Sequence, residues 1–490
     1  MFKLLNISSI IVSCFCIYKL YVFDAPFWLI PFVYMLLIHL YSMSRPHMGA
    51  GHVALMIAMA CRYLIIPLSI YGTESLSTSA LQYGYLYQAI ILMVYEMIAI
   101  FIVLFLCDSK YKKRINSNHY YQNKEIPQGI AKHIKPVCFY VVFFIWLCIA
   151  ILYKNLIGGF SVLLSGALDQ MSEIEQVDYE GSNIIGGILW ETLCVWLFSY
   201  LVFKQYGMLS STNYKKPVII SLIYTLVIVV ISFIDQSGLS RWYTIVITGT
   251  SVAMLFKLYP HGKKMIVSTI VIPSVILIIF VTLFKNAGLI LGEGTIGAAL
   301  YSLFDPLKLD GYFSGPVNVN NALYVYYNTK LDLTTLINDI CNNMPVVNHF
   351  MDIRATSVYA FNASLGRIFA DGTGDQIIPL IGQSIIYFGP ILAPTLSCVS
   401  VIIVCWADYK FLVCRNFGLF CLAFIAIWFA VSAMMLNLTI ALSWVYIRII
   451  PFLFALCLTN KIAGIGTNKY SNGLYYKENN MSVGNVYRDI

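Results

Sequence analysis

Charge is scarce in this sequence. Charged residues make up 11% of its 490 positions, whereas soluble domains carry roughly 25%. Hydrophobic residues make up 59%, so a water-soluble globule is excluded. Inside a bilayer the backbone polar groups must be satisfied internally, and a helix does this within each segment. The composition therefore predicts an all-α polytopic membrane protein.

Signals for metal, disulfide and nucleotide chemistry are also missing. The 13 cysteines lie almost entirely within apolar runs, and only Cys341 falls in the one long polar interval, which therefore cannot hold a disulfide framework. No Cys and His residues are spaced as zinc ligands, and no glycine-rich loop suited to phosphate is present. The net charge of +8 fits the basic bias of cytoplasmic loops. We therefore expect no metal, no cofactor and no nucleic-acid partner.

Apolar runs separated by polar segments predict about twelve transmembrane helices. The first nine spans occupy residues 1–284, the last three occupy residues 383–459, and a polar cytoplasmic tail covers residues 460–490. The first run follows Lys3, has no small-residue cleavage site and is expected to be retained. With the N-terminus in the cytoplasm, the inside segments hold most of the Lys and Arg residues. The long interval 285–382 then faces the periplasm.

The interval 285–382, between spans nine and ten, is the one long polar segment of the chain. Ordering a connection of this length costs backbone entropy, and its Tyr-rich, mixed-charge composition is not typical of disorder. We expect a subdomain of short helices, a lid over the spans, that carries the chemistry. His349 is a candidate general base toward a sugar hydroxyl, and Arg354 and Arg367 are candidates to neutralise a departing phosphate. A surface histidine, or one that only fills a hydrogen-bonding position, stays open as the alternative.

Charged residues inside the predicted spans are few, and each is costly in lipid. Arg62 and Arg448 lie near the centres of spans three and twelve, whereas Glu96 lies in span four and Glu191 in span six. Arg62 either pairs with Glu96 or helps bind an anionic lipid headgroup. Arg448 has the same two options, with Glu191 or backbone carbonyls as its partner. The guanidinium fork suits phosphate because it donates two hydrogen bonds and stays charged when desolvated.

Arg241 stands at the outer start of span eight, beside Trp242 and Tyr243. A lipid phosphate would lie at this depth, so Arg241 is a candidate for both pyrophosphate binding and catalysis. The alternative is an interface anchor, because arginine and aromatic residues collect at membrane interfaces.

Two short motifs resemble those of Wzy-type polymerases of O-antigen and capsular repeat units. Pro379-Leu-Ile-Gly-Gln-Ser-Ile-Ile-Tyr-Phe-Gly389 follows the long interval and looks like the closing signature of that family. Ser237-Gly-Leu-Ser-Arg-Trp242 is similar to the family's Ser-Gly-x-Arg region. Many relatives carry a glutamate in the part that corresponds to Ser384 to Tyr387, and this chain has none. The resemblance therefore implies no carboxylate role in that part. The family's arginine-based catalysis carries over to Arg241, whereas Arg354 and Arg367 are candidates by their position in the loop.

The resemblance implies a glycosyltransferase that polymerises undecaprenyl-pyrophosphate-linked repeat units at the periplasmic face of the bacterial inner membrane. Donor and acceptor would both be lipid-linked glycans, and a chain-length regulator and a flippase are expected neighbours in the same membrane. An O-antigen ligase-like enzyme has a similar plan and stays open as an alternative. A Wzx-like flippase also fits the number of spans, although its short loops and two similar halves differ from this chain.

Overall fold

The structure is a computed structural model, and it describes the chain in separate ranges. These are residues 7, 10–15, 17–18, 26–44, 49–72, 84–117, 136–152, 181–209, 214–232, 234–235, 238–239, 241–285, 306–344, 347–366, 376–414 and 418–462. Most of the first predicted span and nearly all of the predicted tail lie outside the described residues.

The described chain is helical, as the sequence predicts. Up to residue 285 its helices are α1 Leu29–Met43, α2 Ala50–Ala60, α3 Ile66–Gly72, α4 Leu86–Ser117, α5 Pro136–Leu152, α6 Gly181–Gly207, α7 Lys215–Ile231, α8 Arg241–Leu258, α9 Lys263–Ile266 and α10 Ile272–Lys285. From residue 306 they are α11 Pro306–Phe313, α12 Pro316–Asn328, α13 Leu333–Cys341, α14 Ser357–Ser364, α15 Leu380–Phe388, α16 Thr395–Val413, α17 Leu419–Met435, α18 Leu438–Trp444 and α19 Ile450–Ile462. Between α7 and α8, the short strands β1 Ile234–Asp235 and β2 Gly238–Leu239 pair antiparallel.

Several helices have the length and composition of membrane spans. Five described segments are long and apolar enough to cross a bilayer: Leu86–Lys113, Gly187–Gly207, Pro260–Ile279, Thr395–Val413 and Leu438–Thr459. Shorter apolar helices accompany them: Leu29–Met43, Ala50–Ile65, Phe139–Ile149, Trp242–Leu258 and Leu419–Met435. Apart from the short β1–β2 pair, the described residues are therefore helical with membrane-length helices, as predicted, and the number of twelve spans stays a prediction.

The tenth predicted span, which begins at residue 383, is broken in the structure. Helix α15 ends at Phe388. The next residue, Gly389, has a φ of +78° that few other residue types adopt, and the chain becomes helical again only in α16. Pro390 and Pro394 lie in the interruption, where their missing N–H groups prevent a continuous helix. The membrane-length helix here therefore begins at Thr395.

In the described part of the chain, three helical stretches widen into a π-helical turn, and each turn is followed by a proline. The turns are Cys61–Ile65, Val267–Val271 and Val445–Ile449, and the prolines are Pro67, Pro273 and Pro451. Proline has no N–H to donate to the carbonyl four residues back, and its ring clashes with that carbonyl. The residue before each proline donates five residues back instead, as the N–H of Ile66 does to the carbonyl of Cys61. The wide turns are therefore a local consequence of proline.

Helix α17 lies in the middle of the apolar core and contacts α2, α8 and α16. Glycine at position 51 permits the close approach of α2 to α16 and α17. A Cβ atom at Gly51 on α2 would lie 2.7 Å from the Cβ of Ala426 and 2.9 Å from Cγ1 of Val404. Because no side chain fits in that space, α2 packs with its backbone directly against α16 and α17.

Helix α12 of the predicted loop packs against α4 and is part of the apolar core of the bundle. Helix α12 contacts α4 and α15, and its residues Val319, Ala322 and Leu323 are buried in the same apolar core as the spans. Amides make this burial tolerable: Asn320 Oδ1 accepts the Tyr85 N–H at 3.0 Å, and Asn318 Nδ2 donates to a backbone carbonyl at 2.8 Å. The short helices predicted for this segment are present, and α12 shares the core of the bundle; a lid over the spans stays a prediction.

These contacts distinguish the two ends of α4. Tyr85, just before α4, stacks on Tyr327 of α12 with ring centroids 5.0 Å apart. Lys110, Lys112 and Lys113 lie near the opposite end. We call the end of α4 beside Tyr85 the loop end and the end beside these lysines the basic end.

Candidate functional site

Arg448 and Glu191 form a buried ion pair. Arg448 Nε lies 2.8 Å from Glu191 Oε2, and Arg448 Nη2 donates to Glu191 Oε1 at 3.2 Å. The guanidinium also lies over the rings of Tyr243 and Trp444, 4.4 and 4.1 Å from their centroids. A carboxylate and two aromatic faces thus stabilise a positive charge in an otherwise apolar setting.

A small cavity adjoins this ion pair. Its volume is about 20 Å³, and Thr192, Phe420 and Phe424 line it together with the charged pair and Tyr243. A space of this size holds about one water molecule. A pyrophosphate would therefore enter only if the surrounding helices moved apart.

Arg62 and Glu96 form a second ion pair that is still more enclosed. Arg62 Nη2 lies 2.9 Å from Glu96 Oε2, with side chains 1% and 0% exposed. Ser397 Oγ donates to Glu96 Oε1 at 2.5 Å, and Tyr63 Oη donates to Oε2 at 3.4 Å. The ion-pair interpretation is thus confirmed for Arg62, as it is for Arg448. A role for either arginine at a lipid phosphate stays a prediction.

Asp310 is a buried carboxylate that caps α12. It accepts the N–H groups of Val317 at 3.1 Å and Asn318 at 2.7 Å, at the positive end of the helix dipole. Burial raises the pKa of Asp310 to about 7, against the lowering effect of these hydrogen bonds and of the Arg62 charge. A Cβ at Gly315, the residue before α12, would collide with this carboxylate. Glycine is therefore required there for the cap to form.

A buried polar network at the loop end joins Asp339, Ser357 and Tyr387. Tyr387 Oη donates to Asp339 Oδ2, and the Ser357 N–H faces both carboxylate oxygens at 3.2 and 3.3 Å. The Ser357 and Tyr387 hydroxyl oxygens lie 3.2 Å apart. Burial raises the pKa of Asp339, while its hydrogen bonds with Ser357 and Tyr387 oppose the rise. A carboxyl group with a raised pKa suits proton transfer, and the same group caps the first turn of α14.

Gln383 extends this network to the last membrane-length helical stretch. Its Nε2 donates to Ser357 Oγ at 2.9 Å, and its Oε1 accepts the N–H of Leu438, at the start of α18, at 2.6 Å. Arg448 follows ten residues later along the same helical stretch, roughly 15 Å away at 1.5 Å per residue. The motif Pro379–Gly389 thus contributes an amide and a phenol to the network, and the carboxylate comes from α13.

A third charged cluster lies toward the basic end. His52 Nδ1 lies 2.7 Å from Asp408 Oδ2, and His52 Nε2 lies 3.5 Å from Asp108 Oδ1. Asp408 also accepts the N–H groups of Gly51 at 3.0 Å and His52 at 2.8 Å, in the first turn of α2. Tyr41 Oη donates to Asp108. Side chains and backbone of α1, α2, α4 and α16 are thus joined in one buried network.

The other predicted site residues are placed only in part. Arg241 begins α8 and His349 lies in the turn Val347–Phe350, but both side chains lie outside the described residues, as does all of Arg367. Arg354 is exposed in the turn Ile353–Ala355, where its N–H donates to Asp352 at 2.9 Å. Catalytic roles for these four residues stay predictions.

Three buried acids, Asp310, Asp339 and Asp408, were not singled out by the sequence. A signal existed for Asp310, because Gly315 and Pro316 after it mark the start of a helix. No local signal existed for Asp339, whose partners lie 18 and 48 residues away. Asp408 meets His52 across 356 residues, which only the tertiary fold can reveal.

Comparison with known proteins adds no relative. No protein-family model, no curated protein and no solved structure matches this chain. Within the described ranges, no three His, Cys, Asp or Glu side chains are grouped so that they could hold a metal ion. The described side chains therefore offer two buried arginine–glutamate ion pairs inside the bundle and a buried carboxyl group at its loop end.

Proposed function

We propose that this chain is a polymerase of undecaprenyl-pyrophosphate-linked oligosaccharide repeat units. In this proposal it is an inner-membrane protein of about twelve spans whose segment 285–382 faces the periplasm. The observation that carries the proposal is the Arg448 guanidinium, which lies over Tyr243, two residues along α8 from Arg241. Guanidinium groups held at fixed positions are what a pyrophosphate leaving group needs.

The reaction assigns a role to the buried arginine and to the buried carboxyl group of the candidate site. The acceptor hydroxyl oxygen attacks the anomeric carbon of the donor sugar, the bond from that carbon to the pyrophosphate oxygen breaks, and undecaprenyl pyrophosphate leaves. Arg241, assisted by Arg448, stabilises the negative charge on the leaving group. The acceptor proton passes to a base, for which we propose Asp339, with His349 as the other candidate. Because the cavity beside Arg448 is small, the donor must part the helices to reach it.

The deciding experiment is the glycan profile of a strain that lacks this chain. A polymerase predicts single repeat units attached to the final acceptor. Unattached long chains would instead identify a ligase, and the absence of exported units would identify a flippase. Complementation with the intact chain should restore the long polymer.

Point variants then test the assigned roles in the complemented strain. Arg241→Ala should abolish chain lengthening at unchanged protein abundance, and Arg241→Lys should recover little because the bidentate fork is lost. Asp339→Asn should shorten the polymer, whereas the exposed acid of the same segment, replaced in Asp352→Asn, serves as the matched control. If Arg241→Lys produced polymer of normal length, the argument from the bidentate guanidinium fork would be wrong.

A reporter fused at Lys330 that was active in the cytoplasm would overturn the predicted topology.

A further inference from the structure

Helix α13 is amphipathic, and its apolar side faces outward. Thr335 and Asp339 point inward and are 3% and 1% exposed, whereas Leu333 and Ile337, one turn apart, are 53% and 58% exposed. In a soluble domain the apolar stripe of such a helix would face the core. The inversion arises because Asp339 is held in the polar network with Ser357.

The turns after α13 enlarge this apolar surface. Val347, Phe350 and Ile353 are exposed, and Phe350 reaches 84%. The second of these turns is tied to α13 by the bond from Asn338 Nδ2 to the Ala355 carbonyl at 3.3 Å. We call Leu333, Ile337, Val347, Phe350 and Ile353 the α13 patch. A group of exposed apolar side chains of this kind marks a site of interaction.

The position of α13 in the fold indicates what covers the patch. Helix α13 contacts α18, the first turn of the membrane-length segment Leu438–Thr459. Farther along that segment, Ile450, Leu453 and Phe454 are exposed to a similar degree, as apolar residues that face lipid are. The α13 patch therefore stands at the loop end of a span, at the level where a bilayer has its interface.

Charges around the patch favour apolar insertion over attraction to charged lipid. Lys330 and Arg354 are exposed beside it, and so are Asp332 and Asp352. Among the side chains that the structure describes at this rim, the two positive and two negative charges cancel. An apolar face with a balanced rim has no electrostatic preference for anionic headgroups.

We propose that the α13 patch inserts into the bilayer interface at the loop end, with the lipid acyl chains as its binding partner. Helix α13 then lies along the membrane surface, with Asp339 turned toward the protein and Ile337 turned toward lipid. This interaction is separate from the proposed glycosyl transfer and does not depend on it.

Photo-crosslinking in native membranes tests this placement. The full chain is made with p-benzoylphenylalanine in place of Ile337, and the adducts are identified by mass spectrometry. Phe454 is the positive reference on the membrane-length segment, and Thr334, an exposed polar residue on the flank of α13, is the matched control. We expect acyl-chain adducts at position 337 at a yield similar to that at 454 and several-fold above that at 334. The same yields are expected in vesicles with and without anionic lipid.

Other outcomes would overturn the proposal. An adduct at 337 with a second copy of the chain, or with another protein, would make the patch a protein interface. Acyl-chain adducts at 454 but none at 337 would place the patch in water. Size-exclusion profiles that match the unmodified protein show that the variants are folded, so each result can be interpreted.

Discussion

Replacing Glu96 by glutamine would leave the Arg62 guanidinium inside the bundle without its counter-charge. The two charged groups lie 2.9 Å apart, and both side chains are almost completely enclosed. At an effective dielectric constant of about 20, Coulomb's law gives an attraction of about 6 kcal/mol at this distance. Breaking buried pairs in other proteins costs about 3–5 kcal/mol. We therefore expect Glu96→Gln to lower the free energy of unfolding by about 3–5 kcal/mol.

Unfolding in mixed micelles with increasing SDS, followed by tryptophan fluorescence, measures this loss. Removing both charges, as Arg62→Met with Glu96→Gln, should recover most of the stability, because no lone charge is left inside. Glu191→Gln provides a comparison. Its effect should be smaller, since Arg448 keeps two aromatic faces and both side chains of that pair are slightly exposed, at 8% and 7%. A double variant no more stable than Glu96→Gln alone would refute the reasoning.

Three further predictions concern other parts of the chain. Because burial raises the pKa of Asp310 to about 7 from an ordinary 3.8, its contribution to stability is present below pH 4 and is lost as the pH rises to 7. The free energy of unfolding should fall by roughly 2–4 kcal/mol over that window in the intact protein, and Asp310→Asn should flatten the profile. Gly51→Ala should destabilise the protein by roughly 1–3 kcal/mol, because its Cβ would meet Ala426, as measured by thermal unfolding in detergent. Gly249→Ala is the control, since the new Cβ would meet only the end of a flexible isoleucine at 3.3 Å, and an equal loss there would contradict the packing argument. Asp408→Ala should cost roughly 2–5 kcal/mol in the same assay, because two buried N–H groups lose their acceptor, and wild-type stability would show that water replaces it.

The ion pairs were the part of the candidate site that the sequence could predict. Arg62 and Glu96 lie in consecutive apolar runs, and charges in lipid have few partners to choose from. The wide turns were also predictable, because Pro67 and Pro451 stand inside apolar runs that must stay helical.

The packing of the predicted loop could not be predicted in the same way. Asn318 and Asn320 look like surface residues in a sequence, and only their hydrogen bonds to distant backbone groups show why they are buried. The Asp339 network depends on three segments that meet only in the folded chain. Hydrophobic periodicity reports on one segment at a time, so it does not predict contacts between segments that are far apart in the sequence.

The sequence separation of the two ion pairs has a consequence for how the protein is made. Glu96 follows Arg62 in the next apolar helix, so the two can enter the membrane as one hairpin. Glu191 precedes Arg448 by 257 residues. At a synthesis rate of about 5–20 residues per second, the ribosome needs roughly 13–50 seconds to supply that arginine. During this interval Arg448 has not yet been synthesised. The Glu191 carboxyl must therefore be neutralised by a proton, hydrated by water, or bound to a cellular insertion factor. The early half of the chain therefore cannot reach its final packing until its last helices have been synthesised.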